Sequence, residues 1–146
     1  MNTPKKNRMD LASRNIMAGG LFYQKEKGKR IYVAGALSSK QDRTRNPSKV
    51  VTDYIQNLHR MCKTASELRK LGYYPYIPGL DFLLGLVDGE WEEDDYRGIG
   101  FAFLEVCDAM LIISESWGVT QELARAKQLG IPVFYGIESL IAPKGE

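Results

Sequence analysis

The chain has 146 residues, 44% hydrophobic and 26% charged, with a formal net charge of +2. That length and mix suit one globular domain with its own core and exclude a highly charged disordered chain. No apolar run spans a bilayer, because the longest candidate, residues 98–113, is broken by Glu105 and Asp108.

Charge is unevenly spread. Residues 1–30 hold eight Lys or Arg against two acids, which leaves 12 basic and 16 acidic residues in the rest, a net of about −4. Residues 1–29 therefore read as a basic N-terminal arm and residues 30–146 as the domain. The arm lacks the apolar segment of a signal peptide and carries no nucleic-acid motif; a mobile or subunit-contacting role suits it better. Cys62 and Cys107 have no ligand-like neighbours and fit reduced core cysteines of a cytoplasmic protein.

The first element is Arg30-Ile-Tyr-Val-Ala-Gly35, a buried strand ending in a small-residue turn. The polar loop 36–46 is placed to lie over a ligand. Pro47 suits a first helical turn. Val50, Val51, Tyr54, Leu58, Met61, Ala65 and Leu68 recur at helical spacing up to Gly72. Tyr73 to Ile77 reads as a second strand, and a long loop containing Phe82, Leu83 and Leu84 leads to an acidic helix start near Glu92. That helix runs towards Val106. A third strand, Ala109-Met-Leu-Ile-Ile-Ser114, enters a turn holding Ser116 and Gly118. Glu122 then falls in the first turn of a helix closed by Gly130, and Pro132-Val133-Phe134 begins a fourth strand. Strands alternating with helices predict an α/β fold, a doubly wound parallel sheet with helices on both faces.

Open sheets of this kind place their chemistry at strand-to-helix crevices. Glu122 is the carboxylate there, and a helix N-terminus would favour its ionised form, ready to act as nucleophile or base. Tyr32 is either a core aromatic or a tyrosine pointing its hydroxyl into the crevice. Asp108, opening the third strand, is expected to cap a loop or bind backbone N–H groups, since an unpaired buried carboxylate is costly. Ser116 and Gly118 suit an anion at a helix start, or for the serine an N-cap. His59 is the single histidine, so a zinc site and Ser–His or Cys–His chemistry are not indicated. No GxGxxG or Walker lysine motif is present. No metal or organic cofactor is expected.

Several of these segments together resemble the nucleoside 2-deoxyribosyltransferase superfamily, which includes the 2-deoxynucleoside 5′-phosphate N-hydrolases. They are Ile31-Tyr32-Val33-Ala34-Gly35, the stretch from Gly72 through Tyr-Tyr-Pro-Tyr-Ile to Pro78, Cys107-Asp108-Ala109, and Ser116-x-Gly118-x-x-x-Glu122 with Ala126 and Leu129-Gly-Ile-Pro-Val133. They occur in the family's order across residues 30–135. The resemblance implies a flavodoxin-like (Rossmann-like) fold and chemistry at an N-glycosidic bond. It gives Glu122 as the carboxylate attacking the anomeric carbon, and Tyr32 as the group positioning sugar and carboxylate. Ser116 falls where the phosphate-using branch contacts a 5′-phosphate. Gly35, Ser116, Gly118 and Asp108 are the expected substrate-binding positions, and a homo-oligomer acting on a small nucleoside or nucleotide is implied.

One departure matters. Relatives carry an aspartate eight residues before the Cys-Asp-Ala aspartate, where it serves the leaving base; here that position is Gly100. An irregular helix start would let Asp95 take the role. Otherwise proton delivery is lost, leaving a slow enzyme or a non-catalytic nucleotide-binding module on the same fold. Pro78-Gly79 also lacks the histidine that relatives have after this proline.

Overall fold

The computed structural model describes residues 30–37 and 46–141. The basic arm and most of the polar loop expected over a ligand lie outside the described residues. The elements in chain order are β1 (Arg30–Ala34), α1 (Pro47–Lys70), β2 (Tyr74–Tyr76), a 3-10 turn (Pro78–Leu80), α2 (Asp81–Asp88), α3 (Glu93–Val106), β3 (Ala109–Ile112), α4 (Trp117–Leu129), β4 (Val133–Tyr135) and α5 (Glu138–Ile141).

The four strands form one parallel sheet in the order β2-β1-β3-β4. This is the flavodoxin-like arrangement, in which strand order reverses between β1 and β3. Both faces are covered, which explains why β1 and β3 read as unbroken apolar runs rather than alternating ones. Alternation survives as a choice of face. Ile31 and Val33 of β1, with Ala109 and Leu111 of β3, pack against Met61 and Leu68 of α1. Tyr32 and Ala34, with Met110 and Ile112, pack against Leu104 of α3 and Val119 and Ala126 of α4.

Local chemistry sets the element ends. Asn46 caps α1 by accepting the Ser48 N–H at 3.0 Å, and Pro47 occupies its first turn. At the other end Tyr73 N–H reaches Leu68 O at 3.0 Å and Gly72 N–H reaches Arg69 O at 3.0 Å. This closure needs a left-handed residue, which Gly72 supplies at φ 90°. The same logic ends α4 at Gly130, φ 71°.

The segment read as a long loop is a helix. Asp81–Asp88 forms α2, closed by Gly89 in the left-handed region at φ 81°. Its apolar run lacks the polar alternation that would have marked it as amphipathic, and tertiary contacts decide its state. The Phe82 ring lies 4.8 Å from Tyr54 of α1 and 5.4 Å from Tyr96 of α3. Gly85 is where α2 crosses Tyr96 so closely that a Cβ would lie 1.6 Å from the tyrosine hydroxyl oxygen.

Candidate functional site

Tyr32 is the third residue of β1, fully buried at 0% exposure, and its ring faces the α3–α4 side of the sheet. Glu122 lies on α4. The two come close enough to affect each other's ionisation, yet neither Tyr32 Oη nor Glu122 Oε2 has a hydrogen-bond partner among the described residues. The Tyr32 hydroxyl lies near enough to the Glu122 carboxyl to favour its ionised form, short of a hydrogen bond of normal geometry. Two buried, unsatisfied polar atoms on facing elements are costly, and such strain is typical of a site shaped for something other than stability.

Glu122 does not sit in the first helical turn. Ser116 is the N-cap, accepting the Val119 N–H at 3.2 Å, so the helix begins at Trp117 and Glu122 is its sixth residue. That is roughly 7 Å along the axis, beyond the reach of the helix-end charge. Burial dominates instead. It pushes the Glu122 carboxyl up from 4.5 to about 7, with Tyr32 pulling weakly the other way. The expectation of a carboxylate kept ionised by the helix start is therefore corrected: Glu122 changes charge near neutral pH.

Gly100 of α3 is buried and faces the same place, since a Cβ there would lie 3.0 Å from Tyr32 Oη. The position at which the family resemblance calls for an acid thus abuts the Tyr32 hydroxyl. Asp95 does not join it. It is exposed at the start of α3, where Oδ2 accepts the Glu92 N–H at 2.8 Å, the ordinary work of an acid at a helix N-terminus.

Asp108 is not brought to this cluster either. It precedes β3 and binds the start of β1, its Oδ2 accepting from Arg30 N at 2.9 Å and Arg30 Nε at 3.0 Å, its Oδ1 from Arg30 Nη2 at 3.2 Å. Asp108 N–H returns a bond to Arg30 O at 2.8 Å. These contacts lock the N-terminal ends of two parallel strands, the edge opposite the loops that follow them. This matches the backbone-binding role that the sequence suggests for Asp108.

Gly35 and Ser116 lie on the loop edge, after β1 and β3. A Cβ on Gly35 would meet Ile113 and Met61 at 2.9 Å each and Ser114 Oγ at 3.1 Å. Ser114 Oγ also accepts the Ala36 N–H at 2.8 Å, tying the two loops together. Gly118 is exposed in the first turn of α4, where backbone N–H groups have no helical partner. Beside it Trp117 is 56% exposed, with the Arg97 guanidinium 5.1 Å from its ring centroid.

Two participants were not legible in the sequence. Tyr76 of β2 is the register partner of Tyr32. Its ring lies 5.6 Å from that of Tyr32 and stacks on Phe103 of α3 at 4.6 Å, and its hydroxyl donates to Asp81 Oδ2. Asp81 opens α2, the helix read as a loop. The available signal was the shared position of Tyr32 and Tyr76 in two parallel strands. Among the described residues no group of three or more His, Cys, Asp or Glu side chains is placed to hold a metal ion, and no helix is long and apolar enough to cross a membrane. The chain matches no protein-family model, no curated protein and no solved structure.

Proposed function

We propose that the Tyr32–Glu122 cluster cleaves or exchanges the N-glycosidic bond of a nucleoside or nucleoside 5′-monophosphate. The observation that carries this reading is that Tyr32 Oη and Glu122 Oε2 are both buried and without hydrogen-bond partners among the described residues, on side chains close enough to affect each other's ionisation. A carboxylate beside a phenol can stabilise or capture an electron-poor anomeric carbon, as retaining glycosidases do. The base would leave with the C–N electron pair while Glu122 bonds to the sugar. Water would then displace Glu122 and supply the proton the base needs. An acceptor base in place of water gives the exchange reaction. The open N–H groups at the start of α4 suit a 5′-phosphate. A cytoplasmic homo-oligomer is part of the same proposal.

A second reading is a non-catalytic nucleotide-binding module. Gly100 supplies no acid, and general acid–base help is worth about 10²–10⁴ in rate. Chromatographic detection of free base separates the two. The protein is incubated with pooled ribo- and deoxyribonucleosides and their 5′-monophosphates, with Glu122→Gln alongside. Release that vanishes in Glu122→Gln supports glycosidic chemistry. Release that persists removes Glu122 from the reaction. No release, with nucleotides still raising Tm, favours the binding module.

A further inference from the structure

Asp81 is a charged group that the proposed reaction leaves unused, and its surroundings tie it to the site. It follows the Pro78–Leu80 turn after β2, so it lies on the loop edge of the sheet. It is partly buried and accepts the hydroxyl proton of Tyr76. The Tyr76 ring is held on one side by Phe103, nearly parallel at 14° and 4.6 Å, and on another by Tyr32 at 5.6 Å. Rotation of Tyr76 is therefore blocked by two rings and one hydrogen bond. Tyr32 in turn is held between Tyr76 and the backbone of α3 at Gly100. A continuous chain of packed groups runs from Asp81 through Tyr76 and Tyr32 to Glu122.

Resting on the reading of Glu122 as the reactive carboxylate, we propose that Asp81 is a positioning residue of this site, holding Tyr76 so that the Tyr32 hydroxyl stays aimed at Glu122. The hydrogen bond commits the Tyr76 proton to Asp81. Tyr32 is left as the phenolic donor next to Glu122, and the Tyr76 oxygen keeps only lone pairs to present. The titratable groups acting on Tyr76 come from four other elements or their ends: Tyr32 from β1, Asp81 from α2, Glu122 from α4 and Cys107 from the end of α3. Asp81 and Glu122 both resist ionisation of Tyr32 and of Tyr76, in accord with one electrostatically connected cluster.

Asp81 also opens α2, where a carboxylate favours any helix start. A helix-start role and a positioning role differ in what reaches Glu122. The test is a ¹³C NMR titration of the Glu122 carboxyl in the wild type, Asp81→Asn, Asp81→Glu, Tyr76→Phe and Asp81→Asn/Tyr76→Phe. It needs no turnover, so it stands even if the glycosidic reading fails. Freeing Tyr76 should take the Tyr32 hydroxyl off its aim at Glu122 and raise the Glu122 midpoint by about half a pH unit, since that hydroxyl favours the ionised carboxyl, with Asp81→Glu close to wild type. In the Tyr76→Phe background, Asp81→Asn should then raise it no further, because the connection is already cut. An unmoved midpoint in Asp81→Asn overturns the proposal, and so does a lowered one, which loss of a nearby negative charge gives by itself. A shift of equal size with and without Tyr76 overturns the route through Tyr76. Where the wild type releases base, Asp81→Asn should lower kcat about tenfold with KM little changed. An unchanged kcat and pH profile overturn the proposal without touching the assignment of Glu122. Loss of release in Glu122→Gln alone tests that assignment separately.

Discussion

Replacing Glu122 by glutamine should stabilise this protein at alkaline pH and do little at acid pH. The folded chain holds the Glu122 proton until about pH 7, against 4.5 for the free side chain. Between those values the folded state binds more protons than the unfolded one, so stability falls as pH rises through the window. Below pH 4.5 both states are protonated and burial of the neutral carboxyl costs little. Above pH 7 the folded protein carries a buried charge. At about 1.4 kcal/mol per pH unit the penalty reaches roughly 3 kcal/mol. Glutamine keeps the shape and cannot ionise. Urea unfolding of both proteins at half-unit steps from pH 4 to pH 9 should give nearly equal stability near pH 4.5. The gap should grow to about 3 kcal/mol by pH 8, on the order of 10 °C in Tm. Parallel stability curves across that range would refute the reasoning, since they would mean that Glu122 is solvated in the folded state. A gap that opens towards acid pH would refute its sign.

If ionised Glu122 is the nucleophile, base release should fall about tenfold per unit as pH drops below 7; a rate that rises towards acid pH would assign it the role of proton donor. Gly85→Ala should cost at least about 2 kcal/mol in urea unfolding, because the new Cβ would lie 1.6 Å from Tyr96 Oη and α2 must lift from α3; a cost near zero would mean that the crossing is loose. Gly100→Ala adds helix propensity worth about 1 kcal/mol, but its Cβ meets Tyr32 Oη at 3.0 Å. It should therefore be neutral or destabilising in the wild type and stabilising in Tyr32→Phe, with additive effects in that cycle arguing against the contact.

The two polar atoms unsatisfied among the described residues arise from a conflict between layers. Parallel pairing places Tyr32 at the centre of β1 beside Met110 and Tyr76, where both faces are covered. A leucine would fill the space without an orphaned hydroxyl. Glu122 lies in the middle of an ordinary helix, where most acids face solvent. Each residue alone costs stability, and together they make a local polar site in a dry layer. Gly100 keeps that layer open at the hydroxyl. Buried polar groups left unsatisfied in an apolar layer are a common mark of a functional site.

Much of the fold was legible because it depends on local pattern. Apolar runs bounded by small residues marked β1 and β3, helical spacing from Val50 to Leu68 marked α1, and Gly72 and Gly130 marked helix ends. These signals arise from backbone geometry and solvent exposure, which act within a few residues. They were enough to place Tyr32 on a strand and Glu122 on a helix of a doubly wound sheet. Tertiary structure alone decided the rest. α2 became a helix through Phe82 and Gly85 packing on Tyr54 and Tyr96, contacts whose partners lie far along the chain or on other helices. The Asp81–Tyr76 bond depends on a helix that local pattern did not reveal. Burial, and not the helix start, dominates the Glu122 carboxyl, because desolvation is set by every layer packed around a group and not by its neighbours in sequence.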